Sequence, residues 1–115
     1  MANPAIQVAI PQRRYQYGEF LLIVLGDIES QDDIQYQYLV SIVPEGSNKP
    51  ELFISAEKLP AGNEHKFQMR VLAEKAGQIV GHSDHWDKLE VFCQDALKVF
   101  AQVVDLSDER PLQLQ

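Results

Sequence analysis

The chain has 115 residues, of which 45% are apolar and 23% charged, and its seventeen acids against ten bases give a net charge of −7. These values exclude a largely disordered chain and describe one domain able to bury roughly two thirds of its unfolded surface. The negative charge repels phosphate backbones, so nucleic acid is not an expected partner.

Ile6, Val8 and Ile10 alternate with small or polar residues as far as Pro11, so residues 1–18 are expected to be an arm or an additional N-terminal edge strand. Arg13 to Tyr17 is polar and aromatic. The first firm strand runs from Glu19 to Ile28, and its centre, Phe20 to Leu25, is apolar on both parities. A strand of that kind is expected to be covered on both faces. Gly26 marks a bulge or a close approach, and Glu29 to Asp33 supplies the turn.

Ile34 to Val43 alternates most clearly, with Ile34, Tyr36, Tyr38, Val40 and Ile42 opposed by Gln35, Gln37 and Ser41. Pro44 to Pro50 is a loop, Leu52 to Ala56 a short strand, and Leu59 to Asn63 another break. Lys66 to Glu74 alternates again, Phe67, Met69, Val71 and Ala73 facing away from Gln68 and Arg70. Lys75-Ala76-Gly77 then closes a tight hairpin onto Gln78 to His82.

Asp84 suits a helix N-cap, and Asp87 favours the positive end of the helix dipole. From about Trp86 to Asp105, Trp86, Leu89, Phe92, Cys93, Ala96, Leu97, Val99, Phe100, Val103 and Val104 fall on one helical face. Asp87, Lys88, Glu90, Gln94, Asp95, Lys98, Ala101, Gln102 and Asp105 make the other, with only Val91 out of place. About 20 residues of helix would extend roughly 30 Å, enough to cross a small sheet.

The expected fold is therefore α+β: an antiparallel meander of about five strands over residues 19–82, packed against one long C-terminal amphipathic helix over 84–105, with a loose tail at 107–115. One helix covers one face. Leu21, Ile23, Leu25, Leu39, Val43 and Phe53 are then surplus apolar surface on the other, and a homodimer is the expected cover. Because both parities of the first strand are apolar, hydropathy leaves open which of them faces the helix.

Four arrangements bear on chemistry. His82, Asp84, His85 and Asp87 lie within six residues, making His82 and His85 the metal candidates, with His65 able to complete a site. Their spacing matches no metal motif, and capping by the aspartates with surface histidines is the simpler expectation. Tyr36, Tyr38, Phe67 and Trp86 could line a small-molecule cavity between sheet and helix, although a packed core uses the same residues. Arg13, Arg14, Tyr15 and Tyr17 interleave base and aromatic as single-strand binders do, but two arginines on an acidic chain argue for a solvated edge. The single cysteine, Cys93, falls in the apolar helix pattern and reads as a small hydrophobe in a reducing compartment.

The serines show no nucleophile elbow and the six glycines are scattered, so no catalytic residue is assigned and no cofactor is expected. No apolar run reaches the roughly 20 residues of a membrane helix, and Met-Ala-Asn-Pro opens no export signal, which points to the cytoplasm. The expected function is a non-enzymatic interaction module, a homodimer using a sheet face and an acidic rim that would suit a basic protein partner. A small-molecule-binding or sensing domain is the alternative, and a metal protein or enzyme using His82 and His85 the third.

Overall fold

The computed structural model describes residues 4–73, 76–105 and 109–114. These form strands β1 (Ile6–Tyr17), β2 (Phe20–Ser30), β3 (Tyr36–Pro44), β4 (Leu52–Lys58), β5 (Phe67–Ala73) and β6 (Ala76–Ser83), helix α1 (Leu89–Val103) and strand β7 (Leu112–Gln113). The strands make one sheet in the order β6-β5-β4-β3-β2-β1-β7, antiparallel throughout. The architecture is α+β.

Seven strands replace the expected five. One addition is β1, which runs through Arg13 to Tyr17 instead of stopping at Pro11, because Tyr15 and Tyr17 continue an alternation that buries both rings. Pro11 is tolerated since it lies on the outer strand beside a register shift, where a missing N–H disturbs the ladder least. The other addition is β7. Part of the expected loose tail returns after α1 and pairs with β1 at Tyr15–Gln113 and Gln16–Leu112. The hairpin residue Lys75 and residues 106–108, where the helix was expected to end, lie outside the described residues.

The helix is 15 residues, about 22 Å, and not the expected 20. It begins at Leu89, with Lys88 as N-cap and no capping side chain. Asp84 is occupied elsewhere: its Oδ1 accepts the Lys66 N–H at 2.9 Å and so ties the end of β6 to the start of β5. Trp86 precedes the helix, its indole N–H donating to Asp95 Oδ2 at 2.8 Å and its ring lying against Gly81, where a Cβ would come within 3.6 Å of it. The buried stripe is Phe92, Cys93, Ala96, Phe100 and Ala101. Val103, placed by periodicity on the inner face, is 49% exposed, while Ala101, placed outside, is buried. A short helix crossing a twisted sheet touches it along a narrower stripe than the apolar face it carries.

The core lies between helix and sheet. Tyr15, Tyr17, Leu22, Val24, Val40, Ile42, Ile54, Ala56, Phe67 and Met69 contribute from the strands. Phe100 sits under the helix with its ring edge-on to Tyr17 and Phe20, centroids 5.6 and 5.3 Å away. On β2 the even positions thus face the helix and the odd positions face away.

Two irregularities set side-chain directions. Gly26 is buried beside register shifts in β1, and a Cβ there would come within 3.0 Å of the Gln12 side chain, which confirms the close approach. In β3, Tyr36 pairs with Glu57 but Tyr38 pairs with Ala56, so Gln37 is an extra residue. A bulge of this kind reverses the alternation. Tyr36 consequently lies on the face of Glu57 and Tyr38 on the face of Ala56, which corrects the expectation that the two tyrosines share a stripe.

Asp32 fastens the loop between β2 and β3 to the start of β1. Its carboxylate accepts the Ala5 and Ile34 N–H groups at 3.3 and 3.2 Å and the Tyr36 hydroxyl at 3.1 Å. Burial alone would raise its pKa, but these bonds together with Ser30 outweigh it and hold the carboxyl below its ordinary value. A depressed carboxyl stabilises the fold above its unfolded pKa, and that stabilisation disappears as pH falls through the folded value. Asp32→Asn is expected to cost about 1 kcal/mol at pH 7, allowing for solvent screening. In urea titrations the gap from wild type should close below about pH 4; a gap independent of pH would refute the assignment.

Candidate functional site

Cross-strand partners share a face of the sheet, so the register identifies every side chain pointing away from α1. Leu21 pairs with Val43, Leu25 with Leu39, and Ser41 with Phe53, while Ile23 pairs with Ser41. Leu21, Ile23, Leu25, Leu39, Val43 and Phe53 therefore occupy one face, opposite the helix. Leu72 joins them as the partner of Phe53. Leu39 and Leu72 are sealed at 0% exposure by their neighbours. Leu21, Ile23, Leu25, Val43 and Phe53 remain half-buried with no described element across them.

Beside this apolar strip lies a polar cluster that hydropathy did not indicate. Glu57, 3% exposed, accepts hydrogen bonds from Ser55 Oγ at 2.8 Å, Gln68 Nε2 at 2.9 Å and Arg70 Nε at 2.7 Å. A buried carboxylate is costly unless its lone pairs are filled by strong donors, and here three residues of the same face fill them. Gly77 borders this cluster: a Cβ there would stand 3.4 Å from Arg70 Nη1, an ordinary contact, but only 3.1 Å from Leu72 Cδ2, a tight one. The pairing of Glu57 with Gln68 and of Ser55 with Arg70 was the only signal available, and it needs the register to be read.

The charge on this face differs from that of the whole. Between its ends it carries Arg14, the partner of Ile23, and the Arg70–Glu57 pair, whereas the chain as a whole is at −7. The acids stand mainly at the loops and on the helix.

The expected aromatic cavity is not assembled by its four residues. Tyr38 stacks on Phe92 with centroids 5.4 Å apart, and its hydroxyl donates to the Asp87 carbonyl at 3.3 Å. Phe67 and Trp86 are buried in the core, at 6% and 4% exposure. Tyr36 is on the opposite face, lining a polar depression of about 600 Å³ with Asp32, Asp33 and Lys58. Burial, then the charge of Asp32, raises its hydroxyl pKa.

Of the histidines, the fold brings together His65 and His82, stacked with centroids 5.7 Å apart. His65 Nδ1 is shielded without a hydrogen bond and stands 3.6 Å from Asp84 Oδ1. His85 follows Ser83, whose hydroxyl accepts its N–H at 3.0 Å. Among the described residues no group of three or more histidine, cysteine or acidic side chains is arranged to hold a metal ion.

Near the N-terminus of α1, Arg13 reaches from β1 to form an ion pair with Glu90 and a 3.4 Å hydrogen bond to the Tyr15 hydroxyl. Burial pushes the adjacent Cys93 thiol up, so it is not poised as a thiolate. Arg13 and Tyr15 are thereby committed to helix and core, while Arg14 points to the open face. The interleaved run is split between two sides of the sheet.

No described helix is long and apolar enough to cross a membrane. Comparison with protein-family models, with curated proteins and with solved structures returns no match.

Proposed function

We propose that this protein is a non-enzymatic interaction module that self-associates through the sheet face opposite α1. The observation that carries the reading is the half-buried strip of Leu21, Ile23, Leu25, Val43 and Phe53, left uncovered on a face whose centre is otherwise sealed. Antiparallel sheets that face water usually present polar side chains there. A second copy is the occupant that size and charge favour. The molecule measures 40 × 26 × 26 Å, so one broad side exceeds the roughly 800 Å² per partner buried in a stable dimer of ordinary size. Two copies at −7 each repel least where acids are fewest, and stacking these faces keeps the acidic loops at the rim. The rim stays free for a basic protein partner.

Light scattering over a dilution series tests this. Wild type is expected to be dimeric at micromolar concentration. Ile23→Asp and Val43→Lys should each be monomeric with an unchanged far-ultraviolet spectrum, since both positions are only half-buried. A wild-type protein that is monomeric throughout, or a dimer that survives both substitutions, refutes the reading.

A further inference from the structure

We propose that β6 is a docking edge to which an extended, cationic segment of a partner protein adds as a further strand. The two edges of the sheet differ in how they are protected. On the outer strand β1, Pro11 and three register irregularities interrupt regular pairing, and β7 covers Tyr15 and Gln16. These are the devices by which proteins keep edges from pairing with other chains. β6 has few of them. Its sequence Ala-Gly-Gln-Ile-Val-Gly-His-Ser contains no proline, lysine, arginine or acid. Residues 76–80 are all exposed, with Ile79 at 53% and Val80 at 39%, and no described strand lies beyond it.

An edge of this kind offers a row of main-chain donors and acceptors with apolar side chains beside them, the recognition mode of strand addition. Its single irregularity indicates what occupies it. Arg70 pairs with Ile79 but Met69 with Gly81, so Val80 is an extra residue at the middle of the strand. Full-length pairing with a second β6 about a two-fold axis would set bulge against bulge at the centre. A separate strand brings no second bulge and chooses its own register. Charge selects among such strands: β6 carries none, while the chain around it is at −7. That field favours lysine or arginine at the ends of the segment, and strand geometry favours β-branched residues at its centre. The main-chain groups of the edge point outward in the plane of the sheet, so the proposal rests on them and not on the reading of the open face, although Ile79 shares that face with its partner Arg70.

The test uses the whole 115-residue chain, labelled with ¹⁵N, and the capped peptide Lys-Lys-Thr-Val-Thr-Val-Thr-Val-Lys-Lys. Binding should slow amide exchange within residues 76–83 at least tenfold and leave β1 and β7 unchanged. Ile79→Lys and Gln78→Lys should each weaken binding at least tenfold, whereas Leu112→Lys, on β7, should not. The peptide with glutamate in place of its lysines should bind at least tenfold more weakly. Absence of protection, or protection confined to the open face, overturns the proposal. So does equal binding of the acidic peptide. Protection of β6 that rises with protein concentration in the absence of peptide would assign the edge to a second copy and overturn it equally.

Discussion

Arg70→Met is expected to destabilise the fold by about 3 kcal/mol, the low end for breaking a buried ion pair. The value stays at the low end because the Arg70 side chain is 23% exposed, so water can reach part of the space vacated. The loss comes less from the attraction removed than from what remains, a Glu57 carboxylate on a buried surface with one strong donor fewer. Ser55 and Gln68 still donate to it, at 2.8 and 2.9 Å. Replacing both partners, Glu57→Leu with Arg70→Met, should therefore recover most of the loss, since an apolar pair leaves no charge to satisfy. Urea unfolding of the two single variants and the double variant gives the coupling directly. A loss below about 1 kcal/mol for Arg70→Met, or a double variant no better than the worse single one, would mean that the pair is incidental to stability.

Phe100→Ala should cost about 4 kcal/mol. Its ring is fully buried and touches Tyr17 and Phe20 edge-on, so truncation removes both the transferred apolar surface and two aromatic contacts. The neighbours cannot close the gap easily. Tyr17 is tethered through its hydroxyl to the Glu109 carbonyl at 3.2 Å, and Phe20 belongs to the hairpin joining β1 and β2. Val103→Ala, on the same helix but half exposed, is the matched control and should cost less than about 1 kcal/mol. Comparable losses at the two positions would show that the helix end is held differently from the packing described above.

The two results address different faces of the sheet. Phe100 reports on the layer between helix and sheet, where its ring is fully buried. Arg70 reports on the uncovered layer, where a carboxylate is buried with nothing described above it. The apolar strip proposed for self-association lies on that same face.

Much of this organisation was legible in the residues. Alternation read over Ile34 to Val43 named β3, and the apolar run from Phe20 to Leu25 named β2, whose even positions lie under the helix. The i, i+4 and i+8 spacing of Phe92, Ala96 and Phe100 identified the helix, because periodicity is a local property that packing only has to accept. What tertiary structure alone decided was phase. With both parities of β2 apolar, hydropathy carried no information about which side met the helix, and the register with β1, where Tyr15 pairs with Leu22, settled it. The extra residue Gln37 turned Tyr36 away from Tyr38, a reversal invisible to a count of alternating residues. Glu57 lay beyond the expected strand Leu52 to Ala56; its three donors come from positions 55, 68 and 70, and only pairing β4 with β5 brings the last two beside it. Local pattern names the elements; bulges and register, which act across the sheet, determine which side chains meet.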